Sequence, residues 1–182
     1  MQPEFISFNK IHRFNREIII TEKIDGTNAQ IFIDDNCEDI YAASRNRWIT
    51  PSDDNFGFAG WVEQNKKELL KLGPGRHFGE WWGKGIGRSY GLNHRKFSLF
   101  NTSRWNVINI PECCSVVPLL YKGLMLESNV FDVLSKLQFN GSIAAPGFMN
   151  PEGIVVYHTH SDMCFKMTLD KNDNCKTFGE KI

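Results

Sequence analysis

The sequence predicts an α+β fold: two mostly antiparallel β-sheets with flanking helices, forming one domain over residues 1–182. Three observations predict it. Short strand-like runs outnumber helical stretches, and the two kinds do not alternate strictly, which argues against a doubly wound parallel sheet. Pairs of neighbouring strand-like runs are also joined by brief turns, as antiparallel partners require. A chain of 182 residues is long enough for one real core and short for two.

The elements follow in order. Residues 17–23 (EIIITEK) and 29–33 (AQIFI) read as strands around Gly26-Thr27-Asn28, with Asp34-Asp35-Asn36 closing the second. Residues 40–44 form another short strand ending at Arg45, and the polar stretch 50–57, bearing Gly and Pro, is a loop. From 58 to 72, Phe58, Trp61, Val62, Leu69 and Leu72 fall at largely helical spacing until Gly73-Pro74-Gly75 stops the helix. Residues 76–82 read as a strand, 83–95 as a long glycine-rich loop and 96–101 as a strand. Ser128 and Asn129 are good capping residues for a helix over 128–138, whose Val130, Val133, Leu134 and Leu137 share one face. Residues 153–157 and 163–169 make a last strand pair around 158–162.

Composition narrows the function. Lys plus Arg and Asp plus Glu both total 21, so no global field draws in nucleic acid, and a nucleic-acid role needs a local site. Aromatic residues reach 13%, enough for some to serve as stacking platforms. No apolar stretch approaches the roughly 20 residues that span a bilayer, so no membrane partner is expected. The five cysteines are odd in number and form no C-x-x-C pair, which argues against zinc and for a reduced, intracellular setting, with the cytoplasm expected.

Lys23 raises the chemical question. It follows a run of three isoleucines and leads into Asp25-Gly26-Thr27-Asn28, and an ammonium there is costly unless it is paired or its chemistry is used. Lys-x-Asp-Gly alone is a weak signal. Five further stretches raise it: SRNR at 44–47, FGEWWG at 78–83, KFSLFN at 96–101, PEGIVVY at 151–157 and FKMTL at 165–169. Lys23, Glu80, Glu152 and Lys166 each set a charge in or beside an apolar strand, and several such breaks in one small domain point to a shared pocket.

In this order the stretches resemble the covalent nucleotidyltransferase superfamily of polynucleotide ligases and capping enzymes, and most closely ATP-dependent RNA ligases of the phage and RNA-editing type. The resemblance runs roughly from residue 18 to 169. It implies an ATP-grasp-like adenylation domain with the nucleotide held between its sheets. Lys23 resembles the lysine that takes AMP, and Lys166 the phosphate-binding lysine, making these two the catalytic pair. Glu22, Ile24, Gly26, Asn28, Arg45, Glu80, Phe100, Glu152 and Lys166 resemble the nucleotide-binding set. Arg45 and Glu80 would meet the ribose, Phe100 would stack on adenine, and Glu152 would contact Mg²⁺ or Mn²⁺. The chain departs from the pattern at Thr168, where a second lysine is usual, and at Asn101, where aspartate is usual. Lys171 and Lys176 are nearby cations that would compensate for Thr168.

A lysine amine attacks phosphorus only when unprotonated, and a free lysine holds its proton up to a pH of about 10.4. Cations and partial burial ease that loss. The implied activity is an ATP-dependent RNA ligase joining 5′-phosphate to 3′-hydroxyl ends of RNA or another polynucleotide. The resemblance leaves no room after Lys166 for the second domain of many relatives, so substrate grip falls to this domain or to a helper protein. Two other readings stand beside it: a GTP-dependent capping guanylyltransferase, and a non-catalytic nucleotide- or RNA-binding relative, the latter suggested by Thr168.

Other features have plainer readings. Lys84, Arg88, Arg95 and Lys96 form either a basic patch for substrate phosphates at the mouth of the pocket, joined by Arg47, or a solvated loop. His158 and His160 read as a solvent-facing strand end, Cys113-Cys114 as packing, and Trp61, Trp81 and Trp82 as core.

Overall fold

The computed structural model describes residues 3–170. The strands are β1 (Glu17–Lys23), β2 (Thr27–Ile33), β3 (Ile40–Ser44), β4 (Trp48–Ile49), β5 (Gly75–Gly83), β6 (Arg95–Leu99), β7 (Cys114–Val116), β8 (Leu119–Leu124), β9 (Gly153–His158) and β10 (Met163–Thr168). The helices are α1 (Phe58–Gln64), α2 (Lys66–Leu69) and α3 (Glu127–Asn140). They form a four-stranded sheet ordered β10-β9-β1-β8 and a six-stranded sheet ordered β4-β3-β2-β5-β6-β7. Every pairing is antiparallel except β6 with β7, so the predicted fold class holds.

Alternation along two strands creates the cavity. In β1, Ile18 and Ile20 turn outward and pack with Ile154 and Val156 of β9 against Val130, Val133 and Leu137 of α3. Fully burying each such isoleucine contributes about 1.5–3 kcal/mol. In β2, Ala29, Ile31 and Ile33 likewise pack on Phe58, Ala59 and Val62 of α1. The remaining faces carry Ile19, Thr21 and Lys23 from β1 and Asn28 from β2, and these line a cavity of about 750 Å³ between the sheets.

Several local expectations change. The predicted 58–72 helix breaks at Asn65, whose φ of −107° leaves the helical range while its side-chain amide donates to the Trp61 carbonyl. That is the competition with backbone partners that makes Asn a poor helix residue. Leu126 is the N-cap of α3, and Asn129 instead donates to the Tyr121 hydroxyl at 2.6 Å. The 83–95 loop is anchored, with Ile86 and Tyr90 both buried. His158 is buried rather than solvent-facing: its Nε2 donates to the Phe14 carbonyl and its Nδ1 accepts from the Ser161 amide. β4, β7 and β8 are additional strands, the first two only two and three residues long. No helix among the described residues is long and apolar enough to cross a membrane.

Candidate active site

Lys23 ends β1, and the next three residues turn the chain into β2. Gly26 makes that turn fit, because a Cβ there would lie 2.6 Å from the Trp81 carbonyl oxygen and 2.9 Å from Glu80 Cγ. The turn thus presses on β5 and holds Lys23 near Glu80. Ile24 is the apolar anchor, buried with Trp82 and Tyr90. The Asp25 amide donates to the Tyr90 hydroxyl at 2.8 Å, and burial pushes that phenol's pKa upward.

Within the four-stranded sheet, the β1–β9 register sets Lys23 beside Gly153 and so brings up Glu152. A Cβ at Gly153 would fall 2.1 Å from the Met167 carbonyl oxygen, so only glycine lets β9 and β10 close here. Lys23 Nζ lies 2.6 Å from Glu152 Oε1, with the two side chains 24% and 15% exposed. Glu152 Oε2 is buried with no hydrogen-bond partner among the described residues. A carboxylate oxygen with unused lone pairs is the donor type that Mg²⁺ or Mn²⁺ takes. No cluster of three His, Cys, Asp or Glu side chains suited to a metal occurs among the described residues, so a cation here would rely on substrate oxygens and water for its other ligands.

A polar chain crosses the other wall. Arg45 donates through Nε to Asn28 Oδ1 at 2.8 Å and through Nη2 to the same atom. Asn28 Nδ2 in turn donates to Glu80 Oε2 at 3.1 Å. Burial raises the Glu80 pKa to about 7, with Lys23 and Arg45 opposing the rise and Glu152 reinforcing it. Phe100 follows β6 and lies 40% exposed on the cavity wall, its amide held by the Phe78 carbonyl. Lys166 faces the same side as Val155, its ladder partner and a cavity-lining residue. It is exposed and has no ion-pair partner among the described residues. Thr168 comes two residues later, opposite Gly153.

The structure reassigns other sequence-predicted residues. Glu22 is 1% exposed, and its carboxylate accepts from Ser142 Oγ and from the Ile143 and Ala144 amides, at 2.5, 2.8 and 2.9 Å. Its side chain therefore pins the loop after α3. Arg47 pairs with Asp53 at 2.5 Å. Arg88 forks onto Asp170 at 2.6 and 2.7 Å, reaches Asn150 Oδ1 at 3.1 Å, and approaches Asp25 at 3.4 Å. It joins the lysine turn, the segment before Glu152 and the end of β10. Arg95 is spent on the carbonyls of Lys84 and Phe56, and the Lys96 ammonium sits 5.5 Å from the Trp82 ring centre. Lys84 alone of this group stays exposed with no side-chain partner among the described residues, so the predicted basic residues do not gather into one open patch. Lys171, Lys176 and Cys175 lie outside the described residues.

Sequence reasoning missed Arg76, Phe78 and Tyr157, all of which line the cavity. The signal was the period-2 step back from Glu80 through Phe78 to Arg76.

Two mostly antiparallel sheets meeting over a lysine at the turn that connects them are the arrangement of the nucleotidyltransferase class. The RNA ligase family model matches residues 16–169, and the chain belongs to that family. No curated protein matches it. Solved structures of similar fold include a Naegleria gruberi RNA ligase mutant with ATP and Mn, at TM-score 0.65 and 20% identity, covering 94% of this chain and 58% of that one. Another is an apo mutant of that organism's RNA ligase, at TM-score 0.60 and 17% identity, covering 84% and 49%. A third, with AMP and Mn, has TM-score 0.60 and 18% identity and covers 92% and 57%. The chain thus spans about half the length of these relatives, and the likeness is one of fold.

Proposed function

We propose that this protein is an ATP-dependent RNA ligase that stores AMP on Lys23 and spends it in joining a 5′-phosphate to a 3′-hydroxyl. The observation that carries this reading is the 2.6 Å contact between Lys23 and Glu152, at the end of β1 in the cavity that Arg45, Asn28 and Glu80 of the other sheet also line.

Glu152 Oε1 is placed to take the proton that Lys23 must lose before it attacks. The Lys23 nitrogen then bonds to the α-phosphorus of ATP, the bond from that phosphorus to the bridging oxygen of the β-phosphate breaks, and pyrophosphate leaves. Lys166, on the same inner face, supplies positive charge to the α-phosphate. Glu152 Oε2 is the atom to hold Mg²⁺ or Mn²⁺, which supplies charge neutralisation at the phosphates when bound. Arg45, Asn28 and Glu80 present donors and acceptors for the ribose hydroxyls, and Phe100 offers a ring for the base. An RNA 5′-phosphate oxygen would then displace Lys23 from the AMP phosphorus, and a 3′-hydroxyl would displace AMP. Both later steps depend on position and charge.

Intact mass after incubation with ATP or GTP and Mg²⁺ or Mn²⁺ tests the reading. An AMP adduct mapped to Lys23 supports it, a GMP adduct supports the capping alternative, and no adduct in a folded chain overturns both.

A further inference from the structure

The inner face of the six-stranded sheet continues past the nucleotide residues. The β2–β5 register sets Glu80 opposite Asn28, Phe78 opposite Gln30 and Arg76 opposite Phe32. On the other flank, Tyr41 pairs with Phe32, and Trp48 pairs with Ala43, which itself faces Gln30. One side of the sheet therefore runs about 13 Å from Asn28 to Phe32, at roughly 3.3 Å per residue. There it becomes an aromatic cluster. The rings of Phe32, Tyr41 and Trp48 lie 6.2, 6.3 and 6.0 Å apart pairwise, and the Arg76 guanidinium sits 5.0 Å from the Phe32 ring centre and 5.5 Å from that of Trp48.

Core packing does not account for this cluster, since Tyr41, Trp48 and Phe78 are 50%, 52% and 52% exposed. A contiguous exposed aromatic surface marks a binding site. Its chemistry suits a nucleic-acid strand: bases stack on any aromatic face, and a guanidinium held flat on rings meets phosphates. It is also continuous with the cavity, because Arg76 belongs to both. Four carboxylates, Asp34, Asp35, Glu38 and Asp39, occupy the β2–β3 turn and repel a polyanion from the far end. The open path leads toward Arg45 and Lys23.

We propose that this face is a platform for single-stranded RNA entering the catalytic cavity, with bases stacked on Phe32, Tyr41 and Trp48 and the backbone met by Arg76. The proposal rests on the ligase reading above, and its test separates the two. Short single-stranded RNA with a 5′-phosphate is titrated into the full chain without ATP, with anisotropy as the readout. The double variant Tyr41→Ala/Trp48→Ala should weaken binding at least about fivefold, with little change in its salt dependence. Arg76→Gln should lower the slope of log affinity against log salt by about one. The double variant should still take up AMP at the wild-type rate, since neither side chain lines the cavity. Unchanged RNA affinity in a double variant that still labels overturns the proposal. A wild-type chain that labels but binds no RNA overturns it equally. Failure to label, with RNA affinity still lost in the double variant, sinks the ligase reading and keeps the platform. If the double variant does not fold, photo-crosslinking of 4-thiouridine RNA to the wild type decides. Adducts on Tyr41 or Trp48 support the platform, and adducts confined elsewhere overturn it.

Discussion

The two ends of the cavity face are built on opposite principles. At the lysine end, largely shielded charges satisfy one another, Lys23 with Glu152 and Glu80 with Asn28, while Arg45 reaches Asn28 from an exposed position. At the aromatic end, apolar rings stand half in water around one cation. A shielded charge network is costly to disturb, because removing one member strands another. Exposed rings can be removed at little cost to the fold. The difference teaches where function and stability are coupled: tightly near Lys23 and loosely near Trp48.

The largest effect should come at the lysine. Lys23→Ala should abolish covalent nucleotide uptake, read by intact mass, while circular dichroism shows the fold retained. Any adduct on that variant would break the contrast by placing the chemistry elsewhere. Next is Glu22→Ala, which strands a hydroxyl and two amides in a buried site. A loss of about 3–5 kcal/mol in urea unfolding is expected, whereas a loss below about 1 kcal/mol would show that the loop after α3 does not depend on that carboxylate.

Glu80 sharpens the comparison through pH. Its folded-state pKa of about 7 lies above the ordinary 4.5, so the folded chain binds more protons than the unfolded chain between those values. Stability should therefore fall as pH rises through that window, by on the order of 3 kcal/mol. Glu80→Gln should remove the slope, as denaturation at pH 5 and pH 8 would reveal; an equal slope in the variant would assign it to another group. The smallest effect belongs to Phe100. Phe100→Ala should raise the ATP concentration for half-maximal labelling about fivefold, equivalent to about 1 kcal/mol of ring contact, with the melting temperature nearly unmoved.

Legibility in the sequence follows the same divide. Lys23, Glu80, Glu152 and Lys166 announced themselves because charge beside an apolar strand breaks a rule, and the strands bearing them are long enough to read. The partners of Glu22 and Arg88 were illegible, since they depend on contacts spanning 120 and 82 residues. Arg88 read as a free cation only while Asp25 and Asp170 were far away in the sequence. The aromatic platform was hidden for a different reason. Phe32, Tyr41 and Trp48 are ordinary strand residues until register sets them side by side, and β4, which carries Trp48, is only two residues long.

One consequence of the Lys23–Glu152 contact concerns the order in which the chain is made. The two residues are 129 positions apart. At roughly 5–20 residues per second, a ribosome delivers the lysine about 6–26 s before its partner. Through that interval the nascent chain displays the lysine of the β1–β2 turn without its ion-pair partner. The pair forms only when β9 takes its place beside β1 in the four-stranded sheet.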